Sequence, residues 1–175
     1  MGLTKASIRN ALEWLRRRAE NIVAAMLGVM FVAFMIQITF RYLLNLPIGW
    51  THEISVVLWV WLVLFGAAFV IREREEIRLD LLYGAVSGRT RRLMAAASAI
   101  ALVALFGASL PAVYDYVTFM KVERTAYMKI RFDYLYSIYV VFALAMIVRY
   151  VWIGWNAIRG ETPEAVDPTK TVSGV

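Results

Sequence analysis

The sequence contains no cysteine and a single histidine, His52. Disulfides, thiol catalysis, cysteine-ligated clusters and thiolate zinc sites are therefore excluded. A haem held by two histidines of this chain is excluded as well, because only one imidazole is present. The sequence also lacks a glycine-rich phosphate loop, a nucleophile elbow and an HExxH motif. The residue patterns of an enzyme are thus missing, and no cofactor is expected.

Charged residues are scarce, at 18% of the 175 residues, whereas 61% of the residues are hydrophobic. A soluble domain averages about 25% charged and about 45–50% apolar residues. Four long apolar runs, which begin at Ile22, Ile54, Leu93 and Tyr134, contain almost no charge. Each is long enough to cross a hydrocarbon core of about 30 Å at about 1.5 Å per residue. The sequence predicts an all-α membrane protein with four transmembrane helices.

The chain has the length of one domain, and its composition divides it into three parts. Residues 1–20 are predicted to form an amphipathic interfacial helix on the cytoplasmic headgroups, with an ordinary charged flank as the alternative. Residues 21–158 hold the spans, at about 21–44, 53–72, 93–116 and 134–157. Residues 159–175 contain no apolar run and are predicted to be a disordered cytoplasmic tail.

Lysines and arginines are divided unequally between the two ends of the predicted spans. All but five of the 19 lie on the side that holds both termini and the middle connection. The five on the other side are Arg41, Lys121, Arg124, Lys129 and Arg131. Because cytoplasmic loops are enriched in Lys and Arg, both termini are predicted to be cytoplasmic. The net charge of +6 is thus explained by membrane topology rather than by nucleic-acid binding.

Polar residues are concentrated where the first apolar run ends and the second begins. Gln37, Arg41 and Asn45 are spaced by four residues, which predicts that they share one helix face. Arg41 is expected to pair with Asp115, at the end of the third span, or with Glu53, at the start of the second. The alternative is that each side chain reaches the headgroups separately.

Other ionisable groups near the span ends have simpler explanations. Glu53 is favoured by its place at a helix N-terminus, where the dipole stabilises a carboxylate. A proton relay between His52 and Glu53, or a metal at His52, is the less favoured alternative. Arg149, toward the inner end of the fourth span, is predicted to snorkel to the headgroups.

Two patterns concern contacts between helices. Trp59 and Trp61 are about 200° apart on a helix, so one of them is expected to face lipid or another protein. In the third span, alanines spaced by three and four residues predict either a close helix contact or a generic alanine-rich helix. These residues are Ala97, Ala101, Ala104 and Ala108.

An ordered set of residues runs along the first two spans and their flanks. It comprises Gln37, Arg41, Tyr42, Asn45, Pro47, Trp50, Glu53, Trp61, Gly66-Ala67-Ala68, Arg72 and Ile77-Arg78-Leu79-Asp80-Leu81-Leu82. This set resembles the signature of the small membrane subunit, of the DctQ type, of TRAP (tripartite ATP-independent periplasmic) transporters. The resemblance covers roughly residues 20–85 well, and the four-span layout covers the rest. Glu76 departs from it, because the family often has a histidine there.

The resemblance implies a non-catalytic subunit that binds a large many-helix membrane subunit, which carries the substrate and sodium sites. It also implies a periplasmic binding protein that delivers an organic acid, such as a C4-dicarboxylate or a sialic acid. The small subunit would act as a scaffold in the cytoplasmic membrane of a bacterium or archaeon and help to form the docking surface. The candidate contact with the binding protein is the connection Asp115–Asp133, with an ordinary interfacial loop as the alternative.

Three other classes of protein are weighed against this one. A freestanding channel or exporter that acts as a homo-oligomer would transport alone and would lose activity when Glu53 or Asp115 is changed. A membrane anchor of a redox enzyme would need haem ligands that one histidine does not supply. An integral-membrane enzyme is least favoured, because the sequence offers no nucleophile, metal site or relay.

Overall fold

A computed structural model describes residues 2–46, 48–71 and 88–159 of the chain. The backbone of these residues forms four long helices: α1 (Gly2–Ile38), α2 (Trp50–Phe69), α3 (Gly88–Phe119) and α4 (Phe132–Arg159). Each lies in a helical stretch that is long and apolar enough to cross a membrane. The predicted all-α fold with four membrane-spanning helices is therefore confirmed. The predicted disordered tail from residue 160 lies outside the described residues.

Helix α1 is longer than a bilayer requires. Its 37 residues extend about 55 Å at about 1.5 Å per residue, against a hydrocarbon core of about 30 Å. The segment predicted to be an amphipathic helix is part of α1 and continues into the first span without a break. Leu12, Trp14 and Leu15 in this segment are each more than half exposed. Their burial in the headgroup region stays a prediction.

The end of α1 is shaped by a π-helical turn, Thr39–Leu43. Asn45 follows with φ of 53°, in the left-handed region, and the N–H of Leu46 then donates to the carbonyl of Phe40 at 2.9 Å. Asparagine adopts this conformation more readily than other non-glycine residues, because its short polar side chain bonds locally. The first helix therefore ends at the π turn and does not continue through Asn45.

The chain divides into two compact units: the first holds α1, α2 and parts of α3 and α4, and the second holds the remaining parts of α3 and α4. The first comprises Met1–Val70 with Ala112–Phe142, and the second comprises Ile71–Pro111 with Ala143–Val175. In α3 the division falls at Pro111. The proline ring removes the N–H that would otherwise donate to the carbonyl of Gly107, so the helix ladder is interrupted at this position.

In the first unit α2 packs against α1 and contacts α4. Gly66 of α2 lies near α1, since a Cβ built on it would be 3.9 Å from Cγ2 of Val23. The indole Nε1 of Trp61 donates to the carbonyl of Leu135 in α4 at 3.0 Å. The most buried side chains of this unit are Thr51 and Ile138, which are 0% and 1% exposed.

In the second unit α3 and α4 approach each other at small residues. A Cβ built on Gly154 would lie 3.2 Å from Cβ of Ala99, and Ala95, Ala99 and Ala157 are buried. The alanine stripe, predicted to be either a close-contact surface or part of a generic alanine-rich helix, is exposed in this chain; it consists of Ala97, Ala101, Ala104 and Ala108. The close contact therefore uses another face of α3, which the alanine spacing did not identify.

Arg149 of α4 contacts the chain just beyond α2 rather than only extending to the headgroups. Its guanidinium donates to the carbonyl of Ile71 at 2.8 Å. Carbonyls near the end of a helix lack helical donors, and a positive charge is favourable beside them. The structure thus adds a contact with protein backbone in the second unit, and the snorkelling of Arg149 to the headgroups stays a prediction.

Candidate functional site at the hairpin

The connection between α3 and α4 is an ordered hairpin, Glu123–Phe132, which we call the connecting hairpin. Arg124 and Arg131 form an isolated antiparallel bridge in it. Thr125 is only 7% exposed, yet its N–H and its hydroxyl are both hydrogen-bonded. Its N–H donates to the carbonyl of Ile130 at 2.9 Å, and its hydroxyl oxygen accepts the N–H of Ile130 at 3.1 Å. These bonds close the hairpin on itself.

Glu53, in the first turn of α2, holds the tip of the connecting hairpin. Its Oε1 accepts the N–H of Tyr127 at 2.7 Å, and its Oε2 accepts the N–H of Met128 at 2.9 Å. Hydrogen bonds to a carboxylate are shorter and stronger than those between neutral groups. We call this arrangement the Glu53 clamp. It joins two segments that are 74 and 75 residues apart in the sequence.

Gly49 provides the space for the Tyr127 ring beside the start of α2. A Cβ built on Gly49 would overlap three atoms of that ring. The tyrosine therefore lies directly against backbone, while 66% of its surface stays exposed. Lys129, two residues on, has φ of 56°, which turns the chain back toward α4. At the start of α2 the hairpin tip is thus bound by the Glu53 carboxylate, and Gly49 leaves room for its tyrosine ring.

An aromatic cluster joins the end of α3 to the start of α4 at the base of the connecting hairpin. The rings of Phe132 and Tyr136 stack with centroids 5.6 Å apart and planes at 16°. Tyr136 also contacts Tyr116 of α3 at 6.0 Å and Tyr139 at 5.9 Å. Such aromatic pairs add to packing beyond the area they bury. The two ends of the hairpin are therefore anchored by both ring contacts and backbone bonds.

The basic side chains of the hairpin differ in how they are engaged. Arg131 makes a two-point ion pair with Asp133, with Nε to Oδ1 at 3.1 Å and Nη2 to Oδ2 at 2.5 Å. This hydrogen bond raises the pKa of the Arg131 guanidinium, which stays charged. Lys121, Arg124 and Lys129 are exposed. The hairpin and the short 3-10 turn before it, Met120–Val122, thus present positive charge on their exposed side.

Arg41 is not paired as the sequence predicted. Its guanidinium lies over the ring of the adjacent Tyr42, 5.9 Å from the centroid. The carboxylate of Glu53 is engaged by backbone N–H groups instead, and Asp115 is exposed. The described residues include the ion pairs Arg16–Glu20 and Arg131–Asp133. The expected pairing of Arg41 with Glu53 or Asp115 is therefore wrong: the Glu53 carboxylate accepts two consecutive backbone amides, and the Arg41 guanidinium lies over Tyr42.

The predicted shared face of Gln37, Arg41 and Asn45 is also wrong. The π turn breaks the four-residue spacing after Ile38, and Asn45 lies beyond the helix in a left-handed conformation. Gln37 is half-buried, whereas Arg41 and Asn45 are exposed. Tyr42 and Trp50 are 74% and 41% exposed. Three other residues of the predicted set, Pro47, Arg72 and Asp80, lie outside the described residues.

The two tryptophans inside the second span face different surroundings, as their spacing predicted. Trp61 is half-buried and donates to the carbonyl of Leu135. Trp59 is 57% exposed, and within the described residues its N–H meets no acceptor. The exposed face of α2 continues through His52, Val56 and Val63, spaced with Trp59 by four, three and four residues. Such spacing forms one continuous stripe along a helix.

Sequence reasoning missed three residues of the site. Thr125 and Gly49 carry no local signal, because their roles depend on partners far along the chain. Thr51 is fully buried beside Glu53, and its carbonyl accepts the hydroxyl of Ser55 at 2.8 Å. A threonine at the start of a span is weak evidence on its own, since threonine is also common at exposed helix starts. The left-handed Asn45 had a signal, because asparagine is common in turns and Pro47 follows two residues later.

These features define a multi-pass helical membrane protein in which the carboxylate at the start of α2 binds the chain's own backbone. Comparison with known proteins supplies the family. The model of the family described as "Tripartite ATP-independent periplasmic transporters, DctQ component" matches residues 30–160. The chain belongs to this family and is a small permease subunit of a TRAP transporter. The resemblance inferred from the sequence is therefore confirmed.

A curated relative agrees with this assignment. The chain is 33% identical over 76 residues to the C4-dicarboxylate TRAP transporter small permease protein DctQ of Vibrio cholerae serotype O1. The matched stretch covers 43% of this chain and 33% of the relative. The match thus spans about a third of the relative's length.

Proposed function

We propose that this chain is a non-catalytic scaffold for the large membrane subunit of a TRAP transporter. In this proposal the large subunit carries the substrate and sodium sites, and a periplasmic binding protein delivers the organic acid. The observation that carries the proposal is the family match over residues 30–160. The substrate then never contacts this chain, in keeping with apolar runs that hold no charge near their centres.

The exposed stripe of α2 supports the scaffold role. Val56, Trp59 and Val63 are between 44% and 57% exposed on a helix whose other faces contact α1 and α4. Tryptophan is enriched at the two surfaces of a bilayer, where its N–H reaches water or headgroups, but Trp59 is near the middle of the helix. A partner helix with a hydrogen-bond acceptor would satisfy this N–H. We therefore assign this stripe to the interface with the large subunit.

The connecting hairpin supports a role in docking the binding protein. It is ordered, and its exposed side presents Arg124, Lys129 and the Tyr127 ring. Arg and aromatic residues are enriched in protein interfaces, and complementary charge speeds the encounter of two proteins. We propose that an acidic surface of the binding protein contacts this side of the hairpin.

The distribution of basic residues supports an orientation with both termini in the cytoplasm of a bacterial or archaeal cell. The hairpin would then lie on the periplasmic side of the inner membrane. Because the chain has no cysteine, single cysteines can be labelled without background. We expect Lys129→Cys to react with a membrane-impermeant maleimide in intact spheroplasts, and Arg17→Cys to react only after the membrane is opened. The reverse pattern would exclude the proposed docking role.

A freestanding channel of identical subunits is the competing function. It would use charged groups at the ends of the spans, but the Glu53 carboxylate already binds two backbone amides. The deciding experiment is purification of the tagged chain from native membranes in mild detergent, followed by mass spectrometry and by sodium-dependent uptake in proteoliposomes. A many-helix partner in constant ratio supports the scaffold. Recovery of a homo-oligomer that transports alone would overturn it.

The docking role has a separate test in the assembled transporter. The double variant Arg124→Glu with Lys129→Glu reverses charge on the exposed side of the hairpin. We expect the large subunit to be retained and the uptake rate at low binding-protein concentration to fall at least about tenfold, with a weaker salt dependence. Arg89→Glu with Arg92→Glu, which reverses the charge of two exposed basic residues at the start of α3, is the matched control. Equal loss in both variants would argue against a contact at the hairpin.

A further inference from the structure

We propose that Glu53 is a positioning residue that sets the conformation of the connecting hairpin before any partner binds. Its carboxylate acts on backbone, with one oxygen on Tyr127 and the other on Met128. The part of this inference that concerns docking rests on the proposed function. The clamp itself is a property of this chain alone.

Geometry distinguishes this role from that of an ordinary helix-start carboxylate. A carboxylate that merely favours its own helix would accept N–H groups of that helix. Glu53 instead accepts two consecutive N–H groups from a segment more than 70 residues away. Because both carboxylate oxygens accept a hydrogen bond, they fix the orientation of the peptide plane between the two amides as well as the distance of that plane from Glu53. The clamp therefore determines how the hairpin tip is oriented relative to the start of α2, and not only how close it lies.

The neighbouring contacts make the clamped conformation a unique one. The Tyr127 ring lies against Gly49, where any Cβ would overlap it, so the ring has no room if the tip shifts toward α2. Thr125 closes the other side of the tip through two bonds with Ile130. The exposed positions of Tyr127 and Lys129 are consequently determined from inside the protein. A surface ordered in advance binds a partner with a smaller entropic cost.

Glutamate is the side chain that this geometry requires. Glutamine has one acceptor oxygen and one amide donor, so it retains a single bond and directs an N–H against the second backbone N–H. Aspartate keeps both oxygens but is one methylene shorter and reaches the tip less well. Alanine leaves both amides without a partner. We therefore expect the hairpin to be best ordered with glutamate at position 53, less ordered with aspartate or glutamine, and least ordered with alanine.

Hydrogen exchange of the full chain in detergent tests the clamp directly. Peptides covering Thr125–Ile130 report on the two amides, and peptides from the middle of α2 report on the fold. We expect exchange in the hairpin to be on the order of tenfold faster in Glu53→Ala, with a smaller increase in Glu53→Gln, and exchange in α2 to be unchanged. Trypsin should then cleave faster after Lys129.

Glu123→Gln is the matched control, because it removes the same charge from an exposed carboxylate of the same hairpin. We expect its exchange and cleavage to equal those of the unaltered chain. If Glu53→Ala fails to fold, Glu53→Gln and Glu53→Asp carry the test. Unprotected hairpin amides in the unaltered chain, or equal exchange in Glu53→Gln and Glu123→Gln, would overturn the clamp.

The result separates the clamp from the proposed docking. Faster exchange in Glu53→Gln with unchanged uptake would keep the clamp and reject its link to docking. Faster exchange together with a raised half-saturating concentration of binding protein, and an unchanged maximal rate, supports both. Loss of the large subunit from Glu53→Gln, with no change in hairpin exchange, would show that Glu53 acts elsewhere and would overturn the proposal.

Discussion

The two tryptophans of α2 lie on two faces of one helix, and these faces can be compared directly. Trp61 lies on the face whose indole N–H reaches the Leu135 carbonyl of α4 at 3.0 Å. Trp59, two residues earlier, is 57% exposed and continues the stripe of Val56 and Val63. Both side chains are equally apolar and equally able to donate a hydrogen bond. The difference between them is only whether this chain supplies the partner.

This difference shows how a membrane helix divides its functions. In a bilayer the apolar character of a face does not distinguish a contact from lipid exposure, since lipid tails are as apolar as leucine. Packing and hydrogen bonds distinguish them instead. The Trp61 face therefore belongs to the fold of this chain, and we propose that the Trp59 face serves an association with another subunit. Substitutions on the two faces should have opposite consequences.

The largest effect is expected from Trp61→Ala in the isolated chain. The variant loses a half-buried indole and its bond to Leu135, and a cavity remains between α2 and α4. We expect the free energy of unfolding to fall by about 3 kcal/mol, at the lower end of the range for large aromatic residues. Denaturant titration of the detergent-solubilised chain, followed by tryptophan fluorescence, measures this.

Trp59→Ala is the matched control for this measurement. It removes the same side chain from the exposed face, so the isolated chain should lose less than about 0.5 kcal/mol. An equal loss in both variants would mean that Trp59 packs within this chain, and the comparison between the faces would fail.

In the assembled transporter, by contrast, we expect Trp59→Ala to have a large effect, on association with the large subunit. A tryptophan at the centre of an interface contributes about 2 kcal/mol or more, which is about a 30-fold weaker association. We expect Trp59→Ala to lose the large subunit during dilution in detergent, while the variant chain itself stays folded. Val148→Ala, on a 70% exposed position of α4, serves as a control for exposed apolar surface in general. Retention of the partner by Trp59→Ala would place the interface elsewhere.

The fold was predictable because it depends on hydrophobicity averaged over stretches of about 20 residues. Four apolar runs and the helix period are sufficient to predict four helices, and two residues at about 200° must face different ways. The sequence did not predict where the helices approach closely. Ala99 and Ala101 differ only in phase, and just the first lies against Gly154. The phase of a helix depends on its neighbours, which a single sequence does not contain.

The candidate site was predictable in composition but not in its pairings. Glu53 and Arg41 were both predicted to be site residues, and their opposite charges suggested that they form an ion pair. The Glu53 carboxylate binds the Tyr127 and Met128 amides instead, because the hairpin brings two donors to it in line. Backbone donors carry no signal in the sequence, since every residue except proline has one. A π turn likewise leaves little trace in composition.

The contact between α1 and α2 provides an intermediate effect. At Gly66 a Cβ would lie 3.9 Å from Val23, which is ordinary contact, so Gly66→Ala should be tolerated. Gly66→Leu would extend into α1 and should cost about 1.5 kcal/mol of stability through overpacking. Val63→Leu adds a methylene on the exposed face and should change little. Destabilisation by Val63→Leu in the isolated chain would contradict the division between the two faces.

The smallest effect isolates the hydrogen bond that distinguishes the two tryptophans. Trp61→Phe keeps most of the packing and removes the N–H that reaches Leu135. Hydrogen bonds between side chains in membrane proteins average only about 0.6 kcal/mol, because the unfolded helices also find partners. We expect a loss of about this size for Trp61→Phe and none for Trp59→Phe in the isolated chain. In the assembled transporter the same pair tests the acceptor we assign to the large subunit, since Trp59→Phe should then weaken association by roughly threefold. If Trp59→Phe has no effect there while Trp59→Ala does, the large subunit contacts the ring but supplies no acceptor for its N–H.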